Sequence, residues 1–408
     1  MKIVKFNSKQ LEKIYNRGLS KNSRVEERVK KIIDDVRVFG DEALLKYTRK
    51  FDGVKLSLRQ LKVAQIEISG AYQSISPNFV SSLKVVMENV NRFYRKSVKR
   101  SWRIKDADGA MLGENYTALN RVGIYIPAGT APLVSTVYMT VLPAKLAGVK
   151  EIVLISPPDK SGYINPHILV VADLLKVSEI YRVGGAQGIA ALAYGTKTIA
   201  AVDKIVGPGN IYVSEAKRQV YGRVDIDMIA GPTELAIIAN HFSDPKFIAA
   251  DLRAQAEHTK GLAILITNSK KMAVEVKSRL DGVNGLVVLT KNLRQAVEIA
   301  NRVAPEHLEL LVNNPGELLK GIRNAGAIFL GPLSPAAVGD YVAGPSHVLP
   351  TLGTARFFSG LSVLDFIKSS HVISYSKKAL EKIKEPLEKI ACIEGLEKHL
   401  ESVKARFM

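Results

Sequence analysis

From residue 121 onward the chain alternates short apolar segments with longer amphipathic ones, and the first four short segments each end on glycine or proline. Residues 122–126 run into Pro127-Ala-Gly129, and residues 151–155 into Ser156-Pro-Pro158. Residues 179–182 stop at Val183-Gly-Gly-Ala186, and residues 203–206 at Gly207-Pro-Gly-Asn210. The alternation continues at 235–239, 262–267, 286–289 and 327–330. A strand covered by helices on both faces needs no polar alternation. Runs of this kind therefore predict parallel sheets assembled from βαβ units.

The expected fold is α/β, with two Rossmann-like, incomplete parallel-sheet domains, a small N-terminal helical arm and a helical C-terminal tail. The arm spans 1–20. A first, discontinuous α/β domain combines 21–121 with 238–361, and a second covers 122–237. A length of 408 residues suits more than one folding unit. Residues 21–110 read as helices. Ser23 with Glu26 and Glu27 resembles a helix start, and Val29, Ile32, Ile33 and Val36 follow at helical spacing. Phe51-Asp-Gly53 reads as a turn. After about 360 no strand is expected, and 362–408 reads as amphipathic helix. A tail that small buries little apolar area alone, so it should dock on its own core or on a partner subunit.

Composition removes several function classes. Hydrophobic residues make up 47% and charged residues 24%, an ordinary globular balance. No apolar run approaches the roughly 20 residues of a membrane span, and the N-terminus lacks the apolar core of a signal peptide. The single cysteine, Cys392, forbids an internal disulfide and any Cys-rich zinc site, and it points to a reducing, cytoplasmic setting. It reads as a packing residue. The formal charge of +19 is concentrated early: residues 1–110 hold 25 Lys and Arg against 12 Asp and Glu. Aromatic and basic residues interleave between Arg92 and Arg103, as in some single-strand binders. No nucleic-acid motif accompanies them, and a solvated helix face explains them more simply.

Four constellations carry candidate chemistry. Gln255 and His258, three apart on a helix, share a face and offer an amide oxygen and an imidazole nitrogen to a metal. Pro305-Glu306-His307 sets a carboxylate beside an imidazole, two proton acceptors near working pH. Asp340 and His347 lie in a loop dense in glycine and proline, where Asp340 supplies a carboxylate oxygen. In the tail, Glu394 precedes His399, a fourth donor that completes a nitrogen/oxygen set. The glycine turns place Tyr125, Gln187 and Asn210 at the carboxyl ends of strands, where a nucleotide would lie. None of these turns carries Gly-x-Gly-x-x-Gly followed by an acid. His167, His241 and His371 lack a partner motif and read as structural.

These constellations, with Ile226-Asp-Met-Ile-Ala-Gly-Pro-Thr-Glu-Leu and Asp251-Leu-Arg-Ala-Gln-Ala-Glu-His258, resemble the histidinol dehydrogenase family from about Val122 to His399. The N-terminal 110 residues match only in general character. The resemblance implies oxidation of L-histidinol to L-histidine through histidinal, with two NAD⁺ reduced. It implies one zinc per site on Gln255, His258, Asp340 and His399, completed by the substrate imidazole and amine. It makes Glu306 the activator of water and His307 the base for the hydroxyl proton. Substrate contacts fall to Thr233, His347 and Glu394, together with His307 and the metal-binding set. Tyr125, Gln187 and Asn210 line the NAD site. Thr233 stands where many relatives have serine, with the hydroxyl retained. The implied assembly is a homodimer whose tail crosses to the other subunit. The alternatives are a dehydrogenase of the same fold acting on another amino alcohol, and a basic nucleic-acid binder with a degenerate site. The second is disfavoured because no motif is missing.

Overall fold

The computed structural model describes residues 1–18, 22–128, 132–258 and 260–407, so Gly129, at the first glycine turn, lies outside the described residues. The chain divides into a larger unit, Met1–Ser97 with Leu119–Phe366, and a smaller one, Val98–Ala118 with Ile367–Met408. In chain order the strands are β1 (Lys2–Lys5), β2 (Trp102–Lys105), β3 (Met111–Ala118), β4 (Arg121–Tyr125), β5 (Glu151–Ile155), β6 (Glu179–Tyr181) and β7 (Lys204–Val206). They continue as β8 (Asp225–Ile226), β9 (Glu234–Ala239), β10 (Leu262–Thr267), β11 (Leu286–Leu289), β12 (His307–Leu311), β13 (Ala327–Leu330) and β14 (Ile367–Ser374).

The larger unit holds two parallel sheets, as the apolar runs predicted. One has the order β1-β11-β10-β9-β12-β13, the other β6-β5-β4-β7-β8. All residues of β9 and β12 are buried. Their side chains alternate between two cores. Leu235, Ile237 and Leu311 pack with Ile248, Leu252 and Val276 on one face. Ala236, Ile238, Leu308 and Leu310 pack with Leu11, Ile299 and Val303 on the other.

The N-terminal arm is not wholly helical. It opens as β1, which pairs Lys2 with Leu286 and Val4 with Val288 at the edge of the first sheet. A helix then runs over Lys9–Tyr15, with Ser8 as its cap. The helices Ser23–Phe39 and Asp41–Phe51 bury Val29, Ile32, Val36 and Leu44 in one core with Val153, Ala190 and Val213 of the second sheet and its helices.

The smaller unit is an antiparallel sheet, β14-β3-β2, followed by the helices Lys377–Ile393 and Glu397–Lys404. Here the expectations of helix through residue 110 and of no strand after 360 fail. Strands β2 and β14 are mostly exposed and β3 only half-buried. With no face fully in a core, no clean apolar alternation was written into them, and the backbone ladder decides their conformation. The helix Lys377–Ile393 buries only Ala379 and Ala391, and Cys392 is exposed rather than packed.

Candidate active site

The helix Pro245–Ala256 starts at Asp244, whose side chain accepts from the Lys246 N–H, with Pro245 in the first turn. Its buried stripe is Ile248, Leu252 and then Gln255, which is only 7% exposed. A polar amide thus occupies a core position at the helix end, and its Nε2 has no hydrogen-bond partner. His258 follows just beyond the helix, exposed.

Glu306 and His307 enter from the preceding helix, Leu293–Val303. Ala304 ends that helix at φ +45°, a left-handed conformation unusual for a residue other than glycine, and the chain turns through Pro305 into β12. Both residues are buried at the amino end of the strand. Glu306 Oε2 accepts from the Glu234 N–H at 2.9 Å, and the Thr233 side chain also bonds this carboxylate. Burial pushes the Glu306 carboxyl up to about 7, against the lowering influence of His307 and these hydrogen bonds.

His307 Nδ1 lies 3.2 Å from the Glu234 carbonyl oxygen, which can only accept, so Nδ1 carries a proton. Nε2 lies 3.3 Å from Asp340 Oδ1. Burial pulls the ring down, but the Asp340 bond and the charges of Glu306 and Asp340 prevail and raise it to about 9. For Asp340, burial acts upward; the bond and charge of His307, with His347 and His258, hold the carboxyl below its ordinary range. Asp340 therefore lies within electrostatic reach of three histidines.

His347 donates from Nδ1 to the Asp340 carbonyl at 2.8 Å and so accepts at Nε2 from Thr136 Oγ1, 3.2 Å away. Thr136 belongs to the helix Val134–Ala147, which follows β4, and Tyr138 of the same helix donates to the Tyr341 carbonyl at 2.9 Å. That helix ties the second sheet to the segment of Asp340 and His347, where Asp340 lies in the short helix Ala336–Tyr341 rather than in the expected loop. His307 and His347 open onto a mainly apolar cavity of about 660 Å³ that also touches Tyr94, Phe329 and Ser346. Glu234, which orients both Glu306 and His307 through its backbone, is itself clamped by Arg17 at 2.7 and 2.6 Å.

A second cavity, about 280 Å³, brings together Tyr125, Gln187 and Asn210 at the carboxyl ends of β4, β6 and β7. β4 lies between β5 and β7, where the strand order reverses, the usual ligand crevice of such sheets. Asn210 caps the helix Ile211–Val220 by accepting from the Tyr212 and Val213 N–H groups. Gly207 has φ +117°, and a Cβ there would sit 2.2 Å from the Tyr125 carbonyl oxygen. The buried pair Lys217 and Asp227 braces this turn. Lys217 donates to the Gly207 carbonyl at 2.9 Å, and Asp227 accepts from the Gly207 N–H at 2.8 Å.

The neighbourhood of Gln255 and the second cavity have opposite electrostatic settings. At the amino ends of β9 and β12 the neighbouring helix Pro245–Ala256 presents its C-terminus, which favours cations. At the carboxyl ends of the second sheet, the helices Gly185–Tyr194 and Ile211–Val220 present N-termini, which favour phosphates. Glu394 and His399 lie in the smaller unit, at the end of its first helix and within its second, both exposed. Among the described residues no group of three or more His, Cys, Asp and Glu side chains is placed to hold a metal. In the larger unit the expected donors of those types are only His258 and Asp340.

A buried Glu–His pair against one parallel sheet and a polar-lined crevice at the switch point of another are the arrangement of an α/β enzyme. A sequence profile of the histidinol dehydrogenase family matches residues 15–407. The chain is 48% identical to the histidinol dehydrogenase of Clostridium acetobutylicum, covering 98% of this chain and 96% of that one. It is 47% identical to that of Listeria innocua, covering 97% of both. The crystal structure of the histidinol dehydrogenase from Elizabethkingia anophelis matches with a TM-score of 0.95 at 34% identity, covering 100% of this chain and 98% of that one. The chain belongs to the histidinol dehydrogenase family. No helix among the described residues is long and apolar enough to cross a membrane.

Proposed function

We propose that the protein oxidises L-histidinol to L-histidine through histidinal, reducing two NAD⁺, in the last steps of histidine biosynthesis. The observation that carries this reading is the Glu306–His307 pair, buried together with separate hydrogen-bond sets and with His307 lining the cavity. Oxidising an alcohol to an acid takes two hydride transfers and one addition of water. The Glu234 carbonyl keeps the proton of His307 on Nδ1, so Nε2 is the atom that takes the hydroxyl proton once Asp340 is engaged elsewhere. Glu306, with a carboxyl near neutrality, takes a proton from the water that attacks the aldehyde. The only thiol, Cys392, stands exposed in the smaller unit, which favours activated water over a covalent thiohemiacetal. Thr233, His347 and Glu394 are the further substrate contacts, and Tyr125, Gln187 and Asn210 receive NAD.

The donor set fits a zinc ion. Gln255 is a buried amide at a helix C-terminus whose oxygen is a metal donor, His258 follows it, and Asp340 lies within electrostatic reach of His258. Gln255, His258, Asp340 and His399 would hold the metal, which as a bound cation orients the imidazole and amine of the substrate. Exposed Ile373, Ile390 and Ile393 in the smaller unit favour burial against a second subunit in a homodimer. The test is NADH formation from L-histidinol by the purified protein, before and after chelation. Absence of NADH with fully metallated enzyme overturns the reading.

A further inference from the structure

The pocket around Tyr125, Gln187 and Asn210 contains an anionic group that none of the assigned roles uses. Asp52 caps the helix Asp41–Phe51 through its backbone N–H, which bonds the Thr48 carbonyl. Its side chain lines the pocket with Phe51, Gln187 and Tyr212. Oδ2 is buried and has no hydrogen-bond partner, and among the described residues Asp52 forms no ion pair. Burial pushes its carboxyl up to about 6, with no charged partner pulling it back. Gln187, 1% exposed, also leaves both amide atoms unpartnered. Orphaned buried polar groups cost stability unless something else satisfies them. Two such residues in one crevice point to a ligand that donates and accepts hydrogen bonds. The Arg28 guanidinium lies over both Phe51 and Tyr212, 5.3 and 5.4 Å from the ring centroids, so the pocket also offers a flat stacking surface. A planar base joined to a hydroxylated sugar meets these requirements.

A carboxylate accepts hydrogen bonds and repels phosphate. In dinucleotide-binding sheets that work belongs to an acid near the end of the second strand, on the ribose hydroxyls. Here β5 ends on Ile155 and continues Ser156-Pro-Pro158. The next acid, Asp159, spends Oδ1 on the Ser161 and Tyr163 N–H groups of its own turn. The sheet therefore supplies no free acid at that position. We infer that Asp52, carried in from the N-terminal helices, takes the ribose hydroxyls of the adenosine half and selects the cofactor without a 2′-phosphate.

This inference rests on the NAD reading above. The experiment is calorimetric titration of the full-length protein with NAD⁺ and with NADP⁺, for wild type, Asp52→Ser and the near-isosteric Asp52→Asn. Melting temperatures check that each variant is folded. Wild type is expected to prefer NAD⁺, and both variants to narrow that preference by about tenfold or more, with weaker NAD⁺ binding in Asp52→Ser. A folded Asp52→Asn with the wild-type NAD⁺/NADP⁺ ratio overturns the role of Asp52 and leaves the NAD reading standing. A wild-type protein that neither binds NAD⁺ nor reduces it overturns both.

Discussion

Glu306 is a carboxylate whose surroundings, more than its type, determine its chemistry. Burial brings it near neutrality, where it can exist in either protonation state at working pH. Its base form grows as pH rises through about 7, so the rate of histidinal oxidation should climb through that range and then level. Glu306→Gln should abolish that limb and slow histidinal oxidation by about 10²-fold or more, with a smaller loss in the first hydride transfer. Rapid-mixing kinetics of the two half-reactions distinguish the steps, and equal loss in both contradicts the division of roles. The Glu-His dipeptide was legible in the sequence. Its partners were not, because Thr233, Glu234 and Asp340 reach it only through the fold.

At the level of elements, the site depends on turns and buried pairs that hold helices to strands. Lys217→Met leaves Asp227 buried without a counter-charge and should cost about 3–5 kcal/mol in denaturant unfolding. Gly207→Ala forces a Cβ into the Tyr125 carbonyl at a left-handed φ, and should weaken NAD⁺ binding along with stability by about 1–3 kcal/mol. Beneath the proposed metal site, Glu309 of β12 is fully buried and faces Asp251 of the helix that carries Gln255. Its Oε1 accepts from the Ala336 N–H, at the start of the helix Ala336–Tyr341 that carries Asp340. Burial, and then the charge of Asp251, raise Glu309 from its ordinary 4.5 to about 8, and burial raises Asp251 as well. The folded state therefore keeps a proton that the unfolded chain has released. The associated stability is full below the unfolded values and is lost as pH rises through about 8. The wild-type melting temperature should fall between pH 6 and 9, and Glu309→Gln should flatten that fall. A charged residue inside the apolar run Leu308–Leu311 was the sequence signal for this pair, although its partner on a distant helix was not legible.

For the whole molecule, the proposed exchange of tails in a dimer has a direct test. Heterodimers are prepared from one chain bearing Glu306→Gln and another bearing His399→Ala. If tails cross, one site in each heterodimer combines an intact Glu306 with an intact His399, and about half the wild-type activity returns. If each tail serves its own chain, both sites are crippled and the heterodimer stays inactive. Chelation should abolish turnover in wild type and in the active heterodimer alike.

The sequence by itself determined the two parallel sheets. Strands buried on both faces are written as uninterrupted apolar runs, and the turns that close them need glycine. It also determined the candidate donors and the Glu-His pair, since their chemistry resides in residue types at short spacing. Only the tertiary structure decided that the Glu-His pair stands at the amino ends of strands and the crevice of Tyr125, Gln187 and Asn210 at carboxyl ends, next to helix termini of opposite polarity. It alone revealed the half-exposed antiparallel sheet, whose ladder leaves no period in the sequence, and the delivery of Asp52 to a pocket built by another part of the chain. Such contacts depend on separation in space, which hydrophobic pattern and local turn chemistry do not encode.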